Sequence, residues 1–147
     1  MARYGIPYMG SKGKIAEHII RFLPSGKRFV DLFGGGFSMS HCALLSGKYE
    51  SVFYNELNPL AVDLIKRALN GDFNYKTFKP PFISREEFHK NKNTDGYIKY
   101  IWSFGNNGRS YLFSPENERL KRIAHNGVVF DKIDDEFLSV FPNFRGW

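Results

Sequence analysis

Apolar residues at Ile15, Ile19, Ile20 and Leu23 recur at helical spacing, and Pro24-Ser25-Gly26 closes the run, so the pattern predicts a first helix from Lys14. The stretch before it, Gly5 to Gly13, is rich in turn residues and reads as an irregular loop. Arg28-Phe29-Val30-Asp31-Leu32-Phe33 is short, apolar and β-leaning, which predicts a buried strand running straight into Gly34-Gly35-Gly36. Ser38 to Leu45 reads as a helix stopped at Gly47, and Ser51-Val52-Phe53-Tyr54 as a second strand. After Asn55-Glu56-Leu57-Asn58, Pro59 suits the first turn of a helix carrying Ala61, Leu64, Ile65, Ala68 and Leu69. Strand, glycine turn, helix, strand, turn, helix is the order of parallel strands in a three-layer α/β sheet.

Beyond Phe73 the character changes. Pro80-Pro81 interrupts the chain, and Ser84 with Glu87 three residues on marks a capped helix start. Asp95 to Trp102 reads as helical, Ser103 to Arg109 as a loop, and Ser114-Pro115-Glu116 as the opening of a helix reaching about Ala124. Val128-Val129-Phe130 suggests a last strand, while Phe137 to Phe141 fits either helix or strand.

The 147 residues suit one domain, and 42% hydrophobic with 24% charged residues is ordinary for a globular chain. No apolar run approaches the ~20 residues of a membrane helix, and the first twenty residues lack the apolar block of a signal peptide. The single cysteine, Cys42, excludes an intrachain disulfide and a cysteine-based zinc site, so a cytosolic compartment is expected. Aromatic residues make up 17%; composition favours core packing for them, with base stacking the second use. The net charge of +6 is uneven: residues 1–28 and 76–127 each carry +5, and residues 29–75 and 128–147 each carry −2. Two basic segments flanking an acidic one can focus a polyanion on part of the surface.

Candidate chemistry collects at the strand ends. Glycines between a strand and a helix let backbone approach a ligand closely, and the helix start adds free N–H donors. Glu56, about 20 residues later and ending the next strand, stands where a carboxylate accepts hydrogen bonds from a ribose diol. The pair predicts an adenosine-type ligand at the carboxyl ends of the strands. Gly5 to Lys12 falls short of a phosphate loop, with Ser11 in place of the lysine. Lys79-Pro80-Pro81-Phe82 falls short of the Asp-Pro-Pro-Tyr signature of amino methyltransferases, because lysine only donates and cannot accept a hydrogen bond from a target amine. The four histidines are scattered, and no metal cluster or catalytic triad stands out.

Taken in order, Tyr8-Met9-Gly10-Ser11-Lys12, Phe29 to Ser38, and Tyr54-Asn55-Glu56-Leu57-Asn58 resemble the N-terminal part of the Dam-type adenine-specific DNA methyltransferases, especially phage-encoded members. Ser103 to Phe113 is similar to a segment that follows the cofactor motifs in that family. The resemblance implies an α/β fold: a partial Rossmann-like, S-adenosylmethionine-dependent methyltransferase sheet with a helical DNA-recognition segment. Residues 1–75 would form the cofactor-binding part, 76–127 the recognition-like segment, and 128–147 a return segment of the sheet. It implies S-adenosyl-L-methionine as cofactor and double-stranded DNA as partner, with adenine N6 as acceptor and no membrane. Tyr8 would pack on the cofactor and Lys12 meet its carboxylate end. Asp31, Phe33 and the Gly34, Gly35, Gly36 turn would line the site, and Glu56 would hold the ribose hydroxyls. Asn106, Asn107, Arg109 and Tyr111 would lie on the DNA side. Phe37 departs from a glycine common in the family.

The Asp-Pro-Pro-Tyr motif is absent, so no catalytic residue is assigned and the chain is expected to bind the cofactor weakly and be inactive alone. It would be one piece of a split enzyme, a truncated product in a bacterial or phage-infected cytoplasm, or a non-catalytic DNA-binding or protein-interaction module on the same scaffold. A strand left without its central neighbour calls for a partner chain, a homodimer, or cover from the segment around Phe137 to Phe144.

Overall fold

The computed structural model describes residues 4–146. Helix α1 (Ala16–Phe22) leads into strand β1 (Gly26–Asp31), helix α2 (Ser38–Leu45) and strand β2 (Tyr49–Tyr54). The two strands pair in parallel, with Gly26 opposite Tyr49, Phe29 opposite Val52 and Asp31 opposite Tyr54. Helix α3 (Pro59–Leu69) follows. Asn58 caps it by accepting from the Leu60 N–H, and Pro59 sits in the first turn, where no intrahelical donor is lost.

Alternation along the strands decides where the core lies. Phe29 and Val52 point into a cluster of Tyr4, Ala16, Ile20, Cys42 and Ala43, so α1 and α2 cover one face of the sheet. Val30 and its register partner Phe53 point the other way and remain 51% and 52% exposed. The Arg28 guanidinium lies 4.5 Å from the centre of the Phe53 ring and shields part of it. The expectation of a buried strand in a three-layer sheet is corrected here: among the described residues the sheet has two strands and one helical layer. Leu32 and Phe33 lie past the end of β1 and are exposed.

A second cluster of Ile6, Phe37, Ala61, Leu64, Ile65 and Tyr100 ties the N-terminal loop and α3 to helix α5 (Gly96–Ile101). A third, of Ile83, Phe88, Trp102 and Tyr111, forms the core of the region around helix α4 (Arg85–Asn91). The expected capping box is present, with Ser84 Oγ accepting from Glu87 N–H and the Glu87 carboxylate accepting from Ser84 N–H at 2.8 Å. It holds the Glu87 carboxyl below its usual range.

The expected strand at residues 128–130 is instead the last turn of helix α6 (Pro115–Phe130), which ends where Asp131 turns left-handed. Helix α7 (Asp135–Val140) follows, capped by Asp134. Gly127 lets α7 press against α6, since a Cβ there would lie 2.3 Å from the Phe137 ring. The C-terminal segment therefore packs on α6 rather than returning to the sheet, and leaves Val30 and Phe53 uncovered.

Gly96 is the comparable contact between the two halves: it is buried, and a Cβ would meet the Leu60 carbonyl oxygen at 2.1 Å. Because backbone rather than a flexible side chain blocks the space, Gly96→Ala is expected to destabilise by about 1–3 kcal/mol. Urea unfolding should show a lower midpoint at unchanged slope, and an unaltered midpoint would contradict this contact.

Candidate functional site

The carboxyl ends of β1 and β2 open into two turns, and side chains lock them to each other. Glu56 Oε2 accepts from the Gly35 N–H at 2.8 Å, while Oε1 accepts from the Asn58 N–H at 2.9 Å. Asn55 N–H donates to the Asp31 carbonyl, and Gly34 N–H to the Asn55 carbonyl, both at 2.9 Å, which extends the strand pairing into the turns. Tyr54 Oη donates to the Gly35 carbonyl at 2.7 Å. No side chain fits at Gly34, where a Cβ would lie 2.2 Å from the Tyr54 ring, and Gly35 adopts φ +49.

Above these turns the loop of residues 5–13 folds back. Ile6 N–H donates to the Gly36 carbonyl at 2.8 Å, bringing Tyr8 against the glycine turn. The hydroxyls of Ser11 and Ser38 lie 2.5 Å apart, pinning the loop to the start of α2. Ser40 Oγ donates to Asp31 Oδ2 at 2.7 Å and orients that carboxylate. The result is a cavity of about 320 Å³ lined by all eight residues singled out for the cofactor: Tyr8, Lys12, Asp31, Phe33, Gly34, Gly35, Gly36 and Glu56. Lys12 is exposed, donates only to the Gly10 carbonyl at 3.1 Å, and has no carboxylate within ion-pair distance among the described residues. Among those residues there is also no cluster of side chains that could hold a metal ion.

Tyr100 was not legible as a site residue, yet it joins this cavity to the segment expected on the DNA side. Its ring centre lies 5.0 Å from that of Tyr8. Its hydroxyl receives a hydrogen bond from Asn58 Nδ2, and its carbonyl accepts from Asn106 Nδ2 at 2.8 Å. The Met9 N–H in turn donates to the Asn106 carbonyl at 3.3 Å. Asn106 has φ +54, a left-handed conformation that asparagine tolerates better than most residues.

The four residues expected to face DNA separate on inspection. Tyr111 is a correction: it is buried, its hydroxyl donates to the Ile83 carbonyl at 2.6 Å, and its ring belongs to the third cluster. The amide oxygen of Asn107 accepts from the Arg109 and Ser110 N–H groups at 2.7 and 3.0 Å, so that side chain shapes the loop. Asn106 is engaged as described, and Arg109 is exposed.

The family model of the D12 class N6 adenine-specific DNA methyltransferases matches residues 8–128. The chain belongs to this family. The match begins at Tyr8, takes in every cavity residue and the 103–111 loop, and ends before α7. No solved structure matches the chain. Among the described residues no helix is long and apolar enough to cross a membrane.

Two outcomes follow from the locked turns. Glu56→Ala removes a charged acceptor from two backbone donors and should cost about 1.5–3 kcal/mol without any ligand. Glu56→Gln keeps one acceptor oxygen and should cost less. Chemical denaturation of both variants reads the difference, and equal stability of Glu56→Ala and wild type would contradict the bridge.

Burial pushes the Tyr100 phenol up to about 12, with Tyr8 adding to the shift, and raises Tyr54 further, helped by the carboxylates of Glu56 and Asp31. Burial likewise pushes Tyr111 up to about 12. The fold therefore favours the neutral phenols, and the unfolded chain releases these protons first. Their contribution is intact below about pH 10 and is lost as pH rises toward about 12. Unfolding midpoints should fall across that window, and a flat profile would contradict it.

Proposed function

We propose that the cavity binds S-adenosylmethionine and that the 103–109 loop faces duplex DNA, so that the chain provides the cofactor-holding half of an adenine-N6 methyltransferase. The observation that carries this reading is convergence: residues from three separate stretches, 8–12, 31–39 and 56, line one cavity at the carboxyl ends of parallel strands. The residues fit the group chemically. The unpaired Lys12 ammonium suits a carboxylate, and Glu56 keeps lone pairs beyond its two backbone donors for a ribose diol. The glycine turn brings backbone to the cavity wall, and the Tyr8 ring offers an apolar face. The bound cofactor would supply an electrophilic methyl group. DNA is met in the cytoplasm of a bacterium or of a phage-infected host.

Transfer to an exocyclic amine also needs the base out of its stack and a polar acceptor for the amine hydrogen beside the methyl donor. None of Lys79, Pro80, Pro81 and Phe82 lines the cavity: Phe82 packs on Trp102 and Phe113, and the Pro80 carbonyl lies 2.9 Å from His125 Nε2. On this reading the acceptor belongs to a catalytic half that these four residues do not supply. The uncovered sheet face at Val30 and Phe53 and the free edge of β1 are where it would pack.

Titration calorimetry should show weak binding of S-adenosylmethionine or S-adenosylhomocysteine, weaker in Lys12→Ala and Glu56→Gln. The purified chain should transfer no tritiated methyl to adenine-containing DNA, and a separately expressed fragment bearing Asp-Pro-Pro-Tyr should restore transfer. Methylation by the chain alone would refute the division of labour. DNA binding without any cofactor binding would favour a non-catalytic DNA-binding module instead.

A further inference from the structure

The basic segment 76–127 does not present its charge uniformly. Arg85 pairs with Glu118 at 3.5 Å and Arg119 with Glu136 at 3.1 Å, so part of the positive charge is locally balanced. Around residues 108 and 109 it is not. Lys92, the C-cap just past α4, donates through Nζ to the Arg109 carbonyl at 2.9 Å. Lys99, in the last turn of α5, lays its aliphatic stem across Gly108, where a Cβ would meet Cγ and Cε at 2.9 Å. Arg109 itself is exposed. Two helices and a loop thus bring three cations to two consecutive residues.

No carboxylate lies within ion-pair distance of any of the three among the described residues. The acid closest to both lysines in sequence, Asp95, is taken: it accepts from the Ile98 N–H at 3.0 Å and pairs with Arg67 at 3.5 Å. The loop that carries Arg109 is held in shape. Ser103 Oγ accepts from the Gly108 N–H at 2.9 Å, and the Asn107 amide caps Arg109 and Ser110. Gly108 is buried with φ +68, a conformation that a side chain would strain. Like charges gathered on a fixed loop without counter-charge are relieved by a polyanion, and the Met9–Asn106 hydrogen bond sets this loop beside the cofactor cavity.

We propose that Lys92, Lys99 and Arg109 form a grip on the backbone phosphates of duplex DNA, positioning the helix beside the cavity without reading its sequence. This rests on the DNA reading given above. The grip is open and shared among three elements, which suits a run of phosphates along a duplex rather than one enclosed anion.

The test is fluorescence anisotropy of labelled duplexes of two unrelated sequences, titrated with the full chain over a range of salt. Each of Lys92→Gln, Lys99→Gln and Arg109→Gln should lower the slope of log affinity against log salt by about 1, and the triple variant by about 3, equally for both sequences. Lys27→Gln and Lys66→Gln, exposed lysines elsewhere, should leave the slope unchanged. Lys92→Arg and Lys99→Arg should restore it, which a merely structural role for the lysine stems would not require. Thermal melting confirms that each variant is folded. Equal flattening by all five glutamine variants would overturn the grip in favour of diffuse attraction, and so would unchanged slopes in the three grip variants. Absence of wild-type binding at low salt would overturn the DNA reading and the grip together, while leaving the cofactor titration to stand by itself.

Discussion

The carboxylate of Glu56 holds the two strand ends at one spacing, and the rest of the site is built outward from it. One oxygen takes the Gly35 N–H and the other the Asn58 N–H, so the glycine turn after β1 and the turn before α3 cannot move apart independently. Asn58 then acts twice, capping α3 and giving its amide hydrogen to Tyr100. Tyr100 passes the connection on to Asn106, and Asn106 to Met9, which returns to the cavity rim. Every bond in this circuit satisfies a polar group that partial burial would otherwise leave at a cost of about 1–3 kcal/mol. The cavity and the 103–109 loop are therefore parts of a single hydrogen-bonded ring.

What sequence reading resolved was local in origin. The strand–turn–helix order, the Ser84–Glu87 box and the Asn58-Pro59 helix start each follow from a few adjacent residues, and each is present. The glycine turn and Glu56 stood out for a related reason, since glycines and an acid at strand ends suit tight turns and ligand contacts, whereas Tyr8, Lys12 and Phe33 were singled out only through the family resemblance. Two errors came from features that only packing decides. Val128-Val129-Phe130 has strand-like composition, but it continues a helix already anchored by Ile123 and Gly127. Val30 and Phe53 look like core residues, yet whether a strand is covered on its second face depends on chain that lies elsewhere. Tyr100 and Tyr111 were indistinguishable among the many aromatic residues, and only tertiary contacts send one into the second cluster against Tyr8 and the other into the third.

Phe37 shows how a residue at odds with its backbone is kept. Its φ of +69 is left-handed, which costs a residue with a Cβ about 1–2 kcal/mol. The ring is buried, stacked on His41 and edge-on to Tyr54, and burying a phenylalanine contributes about 1.5–3 kcal/mol. The two terms are of similar size, so the aromatic packing offsets the strain. A glycine in its place would relax the backbone but leave a void between α2 and β2.

The hydrogen bond from Met9 to Asn106 also has a consequence for how the protein is made. A ribosome releases the N-terminal loop first, then β1, α2, β2 and α3, and all of these precede Tyr100 and Asn106 in the chain. Until those later residues emerge, the Tyr8 ring lacks its neighbour and the Met9 amide lacks its acceptor. The nascent strand–helix unit must wait, at roughly 5–20 residues per second, with its pocket unroofed. Translational pausing before residues 100–106 leave the ribosome would prolong that state.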